Sequence, residues 1–493
     1  MVQKAGPNHT VRTMRTDSGP TLESMKRVLL ISLVIILCDL GALSQGLFES
    51  SLSGDVDDAG SKNLSIGGFI RSALYLGNTP IGEDIYLQSA YGQAGLLLKA
   101  KAGSVATARA DIRFRFGSEW QKGFSDLEIR EAYVDLQTGP AGFRFGKLIS
   151  PWGKGTVFNP VDKITPLDPT VRSPNPDDRY LGIWALQGRI NMGKSLKLTA
   201  TWNPLYQPGI LLIDPVPMPP YVSFLEPDYP GVELDEGSYG VNMDLHASAL
   251  DASLYGFHGY HSWPGIAFDS FVMDTIHLEP LALDLFEKAY RINMAGADFS
   301  IPLGSWIIRA EGAWMAPTEE RGSKEYLPFP ELSYAGELEV GASWLTLIAG
   351  YHGKYILEYT VPEAEASLSS GPAQFVPLME AGIPITGALV NEAVKGQIDA
   401  FNRLYNYQLE EFYHTAFLVL KGNFLHDALE LELPVVYHIT TGEWIVQPAL
   451  SWMAADGINI KAGYSGFFGP SESLFDMIGP TLNAGYIAMT LSF

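Results

Sequence analysis

From residue 64 to residue 493 the chain alternates apolar and polar positions in runs of about ten residues, the two-residue period of a β-strand. The clearest run covers 105–117. Ala106, Ala108, Ala110, Ile112, Phe114 and Phe116 fall on one face, and Thr107, Arg109, Asp111, Arg113 and Arg115 on the other. Side chains alternate across a strand, so one face is wholly apolar while the opposite face carries consecutive charges. Eighteen strands are predicted, near 64–76, 86–100, 105–117, 126–138, 142–148, 180–190, 195–202, 238–248, 251–258, 289–300, 305–314, 333–340, 345–352, 411–421, 428–437, 444–452, 458–466 and 483–493.

Alternation of this kind fits a soluble sandwich or a transmembrane barrel equally well, and loop lengths separate the two. Tight turns are expected at 101–104, 139–141, 191–194, 249–250, 301–304, 341–344, 422–427 and 453–457. The intervening connections are mostly longer, among them 149–179, 203–237, 259–288 and 353–410, rich in Pro and acidic residues. Short periplasmic turns in phase with long external loops are the habit of outer-membrane barrels. The expected fold is therefore all-β, a closed transmembrane antiparallel β-barrel over 64–493. An even strand count places both ends of the sheet on the periplasmic side and leaves no unpaired edge in lipid. Trp184, Trp202, Trp306, Trp314, Trp344, Trp444 and Trp452 lie at or near strand ends, where an interfacial girdle is expected.

Composition sharpens this picture. Charged residues are 18% of the 493, below the quarter or so usual for soluble proteins, while aromatics reach 12%. The formal charge of −22 argues against nucleic acid as a partner, since phosphate binding needs clustered positive potential. Ahead of the barrel, the apolar run 28–38 is far short of the roughly 20 residues of a spanning helix. With Met25, Lys26 and Arg27 before it and Ala42-Leu43-Ser44 after it, the run reads as a signal peptide over 25–44, cleaved before Gln45. Residues 1–24 read as an upstream extension from a misplaced start codon, and 45–63 as a periplasmic segment. The one cysteine, Cys38, lies inside the leader, so the mature chain has no disulfide or thiolate site. A lipidation site at Cys38 is disfavoured by Leu37, which is not small.

At the other end, Gly485, Ile487, Met489, Leu491 and Phe493 form a largely apolar face closing on a terminal aromatic. This resembles the C-terminal strand of bacterial outer-membrane proteins, which implies Phe493 as an assembly signal read by the barrel-assembly machinery. Phe145-Gly146-Lys147, then Pro151-Trp152-Gly153-Lys154-Gly155, then Asn159-Pro160-Val161-Asp162 resemble the strand-and-loop segment of porin-like families of bacterial outer-membrane proteins. The resemblance covers about twenty residues. It implies a monomeric or homotrimeric barrel with a loop folded into the pore, and leaves the solute open.

If the apolar faces meet outer-membrane lipid, the opposite faces line a channel. Arg109, Arg113, Arg115, Arg130, Arg144 and Lys147 cluster on early strands with Asp111, Glu131 and Asp135; Glu311, Glu337 and Glu339 sit on later ones with Arg309. A basic wall facing an acidic wall would set a transverse field that orients dipolar solutes; charges that merely pair and fill the lumen are the plainer alternative. The loop carrying Trp152, Asn159, Asp162 and Asp168 is expected to fold inward, its aspartates facing the basic wall at the narrowest point. Val390, Val394, Ile398, Phe401 and Tyr405 recur at helical spacing, marking an amphipathic helix at the mouth. His258 and His261 have the spacing of a metal pair but no third ligand nearby in sequence, so no metal and no cofactor is expected. No nucleophile motif or phosphate loop points to an enzyme. The function expected is a porin-type channel passing small polar or anionic solutes. A transporter of hydrophobic compounds and a surface adhesin are the alternatives.

Overall fold

The structure is a computed structural model that describes residues 63–78, 85–211, 220–274, 277, 279–362, 386–471 and 473–493. The expected extension, the signal peptide and all but the last residue of the 45–63 segment lie outside the described residues.

Eighteen strands form one closed antiparallel sheet. In chain order they are β1 (Leu64–Asn78), β2 (Ile85–Ala102), β3 (Ala106–Glu119), β4 (Lys122–Thr138), β5 (Ala141–Leu148), β6 (Ile183–Met192), β7 (Leu196–Asn203), β8 (Ser238–Ala247) and β9 (Leu250–Tyr260). There follow β10 (Arg291–Leu303), β11 (Trp306–Pro317), β12 (Glu331–Ala342), β13 (Leu345–Ile356), β14 (Phe412–Phe424), β15 (Leu429–His438), β16 (Glu443–Val446 continued by Ala449–Ala455), β17 (Ile458–Phe468) and β18 (Ala484–Ser492). Each pairs with its neighbour in sequence, and β18 closes on β1 from Ala484↔Gly77 to Ser492↔Phe69. At the seam the Phe493 amide donates to the Gly68 carbonyl at 3.0 Å, and the Gly68 amide returns a bond to Phe493 at 2.9 Å.

The eighteen predicted strands are all present, several of them longer than expected. The expected eight-residue link before β4 is a two-residue turn, Trp120 and Gln121, both at positive φ (51° and 65°). That geometry matches the twist of the flanking strands, so the hairpin extends to Glu119↔Lys122.

The alternation resolves as a barrel's does. Leu74, Phe114, Leu127, Val134, Phe143, Phe145, Leu186 and Met489 are exposed on the outer surface, whereas Arg71, Asp111, Arg113, Gln187, Thr199, Glu311 and Glu337 are buried within. Six of the seven expected girdle tryptophans are between 41% and 52% exposed, in two rings. Trp306, Trp344 and Trp452 lie near the tight-turn end and Trp184, Trp314 and Trp444 near the other. Trp202 departs from the ring and is half-buried.

The long-loop half of the interior is not an empty lumen. An internal three-stranded sheet, Gly265–Asp274 antiparallel to Glu279–Lys288 with Val222–Phe224 parallel beside it, occupies what the sequence assigns to loops. Helix α1 (Gly387–Tyr405) begins at Thr386, whose hydroxyl caps Leu389, and buries Val390, Val394, Ile398, Phe401 and Tyr405, the residues its spacing marked. Helix α2 (Leu474–Leu482) follows β17. These segments form one apolar cluster with Val157, Phe158, Ile266, Leu283 and Leu285, and with Ile348, Phe417, Val419, Val436, Ile445 and Phe467 of β13–β17. The expectation of a charged, water-lined wall throughout is corrected in part: β13–β17 carry an apolar inner patch covered by the inserted helix and hairpin, while Lys354, Lys421 and Glu432 on the same strands are buried inside, Lys421 and Glu432 3.0 Å apart.

Candidate functional site: the barrel interior

The segment 149–182 folds inward and crosses the lumen, with contacts from Glu131 of β4 to Glu337 of β12 and Arg71 of β1. It leaves β5, where the Ile149 amide donates to Glu131 at 3.0 Å. Trp152 is then buried against β9, stacked on Tyr255 at 5.3 Å and edge-on to Phe257 at 6.4 Å. Gly240 of β8 makes room for it, since a Cβ there would stand 2.7 Å from the indole. Lys154 pairs with Asp298 of β10 at 2.9 Å.

The W-G-K-G and N-P-V-D pieces then wrap a wall carboxylate. Glu311 of β11 accepts from the amides of Lys154 (3.1 Å), Gly155 (3.3 Å) and Val161 (2.9 Å), while the Asn159 amide bonds the Trp152 carbonyl to close the turn. Gly153 sits at φ +92°, and a Cβ on it would meet Glu311 at 2.6 Å, so glycine is required twice over. One residue on, Glu337 of β12 takes the Thr156 amide at 3.0 Å and its hydroxyl at 2.7 Å, with Arg309 at 2.9 Å on the same carboxylate. Arg309 also pairs with Glu339 at 2.8 Å. The acidic wall expected from the sequence therefore does not face an open pore: Glu311 and Glu337 hold the crossing loop, and Glu339 holds Arg309. Phe158 completes the attachment, stacking on His352 of β13 at 4.4 Å.

Asp162 and Asp168 do not face the arginines as expected. Asp162 accepts from the amide and hydroxyl of Thr165 (3.3 and 2.9 Å), and Asp168 likewise from Thr170 (2.9 and 2.5 Å); each caps its own turn. Burial pushes the Asp162 carboxyl up to about 7, against those hydrogen bonds. Asp168 is also raised by burial.

The carboxylate that meets the basic wall is Asp178, on the returning limb. Its Oδ2 accepts from Arg71 and from the Ser173 hydroxyl, each at 2.5 Å, and its Oδ1 from Arg113 at 2.6 Å, with Arg130 at 3.7 Å. Burial alone would raise this carboxyl; the three guanidinium groups outweigh it and hold Asp178 well below the ordinary carboxylate range. Asp111 bridges Arg113 at 3.0 Å and lies 3.9 Å from Arg130. Neighbours in a strand point to opposite faces, yet Arg130 and Glu131 both reach inward. A β-bulge opposite the Asp111/Ile112 step leaves Arg130 without a ladder partner and permits this. Nη2 of Arg130 donates to the carbonyls of Asp177 (2.6 Å) and Tyr180 (3.1 Å). Arg115 pairs with Glu119 at 2.8 Å. Most of the basic wall is thus buried and partnered, the plainer of the two sequence readings.

Two of the expected arginines remain accessible. Arg109 lies 3.7 Å from Glu131 with its side chain 48% exposed, and Arg144 pairs with Asp135 at 2.8 Å over the ring of Tyr133. Both line a pocket of about 330 Å³ near the tight-turn end, between β2 and β6. Lys147, next along β5, is half-buried. His258 and His261 do not form a pair: His258 contacts Asn293 at 2.8 Å, and His261 is buried in a stack with Tyr290.

Arg71 and Arg189 were missed by the sequence reading, although each stands at an inward position of its strand. Asp178 carried no such signal, because it belongs to an irregular loop.

No protein-family model and no curated protein matches the chain. Among solved structures it is similar to Acinetobacter baumannii OccAB3, with 8% identity, a TM-score of 0.50, and coverage of 87% of this chain and 99% of that one. Pseudomonas aeruginosa OccK2 (OpdF) aligns at 12% identity over 87% and 97% of the two chains with a TM-score of 0.49. Acinetobacter baumannii OccAB4 aligns at 10% over 89% and 99% with a TM-score of 0.48. At this identity the likeness to OccAB3 speaks for the fold, a large closed antiparallel barrel.

Proposed function

We propose that the protein is an outer-membrane channel of porin type for small polar or anionic solutes, with the tight-turn end toward the periplasm. The observation that carries this reading is the division of the interior. Its β1–β6 side is charged, with Arg71, Arg109, Arg113, Arg115, Arg130, Arg144 and Arg189 on neighbouring strands. The β13–β17 side carries the covered apolar cluster, and its buried charges are paired, Lys421 with Glu432 at 3.0 Å and Lys354 with Glu331 at 2.9 Å. A solute route in such a barrel follows the charged side, where water and hydrated ions keep hydrogen-bond partners. Most of these arginines are paired, and Arg109, its side chain 48% exposed, is the accessible positive charge that favours anions beside that wall.

The apolar cluster under α1 supports a second reading, a transporter of hydrophobic compounds that enter through the long-loop end. Liposome swelling with sugars, amino acids and alkyl substrates separates the two. Swelling with sugars and amino acids is the expected result, together with a reversal potential on the anion side in a salt gradient. Uptake confined to alkyl substrates would overturn the channel reading in favour of the second.

A further inference from the structure

Two prolines stand in the middle of adjacent barrel strands, Pro434 in β15 and Pro448 between the two halves of β16. The other prolines of the described barrel strands, Pro302 and Pro317, lie at or next to a strand end. Register runs unbroken through the gap in β16, with Val435↔Val446 and Glu432↔Ala449 on one flank and Val446↔Gly466 and Ala449↔Gly463 on the other. Pro434 is therefore opposite Gln447, and Pro448 opposite Tyr464. Each pair makes one ladder bond of two: the Gln447 amide donates to the Pro434 carbonyl at 3.1 Å, and the Tyr464 amide to the Pro448 carbonyl at 2.9 Å. The return bonds do not form, because proline has no N–H. β16 thus lacks a ladder bond on each flank, at consecutive positions.

Pro448 lies midway between Trp444 and Trp452, one from each aromatic ring, which puts the break at the middle of the apolar band. Backbone at that depth is ordinarily fully paired, since lipid offers no partners, and irregularity persists only where protein covers it or a cavity is lined. Outside the break, Leu418, Leu431 and Leu450 are exposed on the lipid-facing surface. Inside it, Val419, Val436, Ile445 and Phe467 belong to the apolar cluster, and α2 packs over them with Phe475 edge-on to Phe467 at 5.6 Å. The Lys421–Glu432 pair bounds this patch toward the tight-turn end. An aliphatic chain crossing here meets apolar side chains on both faces of the wall, whereas behind β1–β4 it would meet buried Arg71, Arg113 and Arg130. We propose that β15–β17 form a lateral portal, which parts at the two missing ladder bonds and passes the aliphatic chain of a single-chain amphiphile between the bilayer and the cluster beneath α2. This goes beyond the polar-channel reading and does not depend on it, since the two routes use different walls.

The test places the folded full chain in liposomes with palmitic acid carrying a mid-chain diazirine, followed by photolysis and mass spectrometry of the labelled peptides. Label is expected inside, on Val436, Ile445 and α2, as well as on outward Leu450, and not on inward Arg113. Leu433→Cys/Pro448→Cys locks the seam. In this register the two positions form a non-hydrogen-bonded pair, with Cα atoms about 4.5 Å apart, a spacing that a disulfide spans. Oxidation should remove the interior label and reduction restore it, while the label on Leu450 persists. Pro434→Val/Pro448→Val returns both N–H donors and is expected to lower interior labelling about tenfold. Heat-modifiable migration verifies folding of each variant. If neither variant folds, amide exchange of the wild type decides, with Gln447 and Tyr464 expected to exchange faster than Ala349 and Leu418 of the fully laddered β13 and β14. Absence of interior label in the wild type, interior label undiminished by the oxidised lock, or exchange at Gln447 and Tyr464 as slow as at Leu418 would overturn the proposal. A lock that stops interior labelling in a protein passing neither sugars nor ions would leave the portal standing and remove the polar-channel reading, so the two fail separately.

Discussion

The amide of Val161 donates to Oε1 of Glu311 at 2.9 Å, joining a loop to a wall strand 150 residues further along the chain. With Lys154 and Gly155 on Oε2, one barrel carboxylate collects three backbone donors. This is the inverse of an anion bound at a backbone nest: the protein supplies the anion and the loop supplies the nest.

Removing that carboxylate should free the loop without opening the barrel. Hydrogen bonds to charged groups contribute about 1.5–3 kcal/mol each, and no strand pairing depends on Glu311's side chain. Glu311→Ala is expected to render the 149–162 segment cleavable by added protease while heat-modifiable migration persists, with Glu311→Gln intermediate. Mass spectrometry of the fragments checks this, and an uncut loop in the folded Ala variant would show that packing of Trp152 and Phe158 suffices.

Asp178 bears on both stability and selectivity. Asp178→Asn leaves Arg71, Arg113 and Arg130 without their shared anion, a loss of about 3–5 kcal/mol for breaking a buried charge cluster. In planar bilayers the reversal potential should move toward anions. Because the folded carboxyl is held well below its unfolded value of about 3.9, its stabilisation is present above that pH and is lost as pH falls through the folded value. The variant should accordingly lack this part of the acid sensitivity. Equal selectivity in variant and wild type would place the selectivity elsewhere.

Much of the wall was legible because lipid and lumen impose opposite chemistry on alternate residues, as Arg109 to Phe116 illustrate. The α1 stripe from Val390 to Tyr405 was legible for the same kind of reason, at helical period. What escaped were features fixed by contacts that alternation does not reveal. That Arg130 and Glu131 share a face depends on a bulge set by pairing with β3. The hairpin 265–288 alternates at Leu281, Leu283 and Leu285, yet it belongs to no barrel rung, so loop phase assigned it to a connection. Asp162 and Asp168 looked like free charges; each is used by a threonine two or three residues away. Glu311 and Glu337 were read as solute-facing and instead are buried against the loop, because sequence does not show which backbone amides come to meet them.

Phe493 directly follows β18, with both backbone groups tied to Gly68 and the residue 68% exposed. Its ring approaches so closely that a Cβ at Gly68 would stand 2.9 Å from it. Deleting Phe493 removes two seam hydrogen bonds and the terminal aromatic, and is expected to reduce assembly into outer membranes. Gly68→Ala, which crowds the ring while keeping it, should lower stability more than assembly. Quantifying folded protein in isolated membranes tests the first expectation, and undiminished insertion of the deletion would remove Phe493 from the assembly signal.

Asp162 makes the crossing loop sensitive to pH in the direction opposite to Asp178. Its folded carboxyl titrates at about 7, raised by burial, whereas in the unfolded chain it titrates near 3.9. Between these values the folded protein holds a proton that the unfolded chain has released, so stability falls as pH rises from about 4 to about 7 and levels off above. Thr165 retains its hydrogen bonds to either form, and the cost above neutrality is that of a buried charge with no cation among its hydrogen-bond partners. Asp162→Asn is neutral throughout and should erase this slope. The wild type should therefore lose heat resistance relative to the variant across pH 4–7, and its single-channel current should flicker more at pH 8 than at pH 5.5 as the loop loosens. Parallel pH profiles for wild type and Asp162→Asn, in both unfolding midpoint and current noise, would show that the buried carboxyl does not govern the loop.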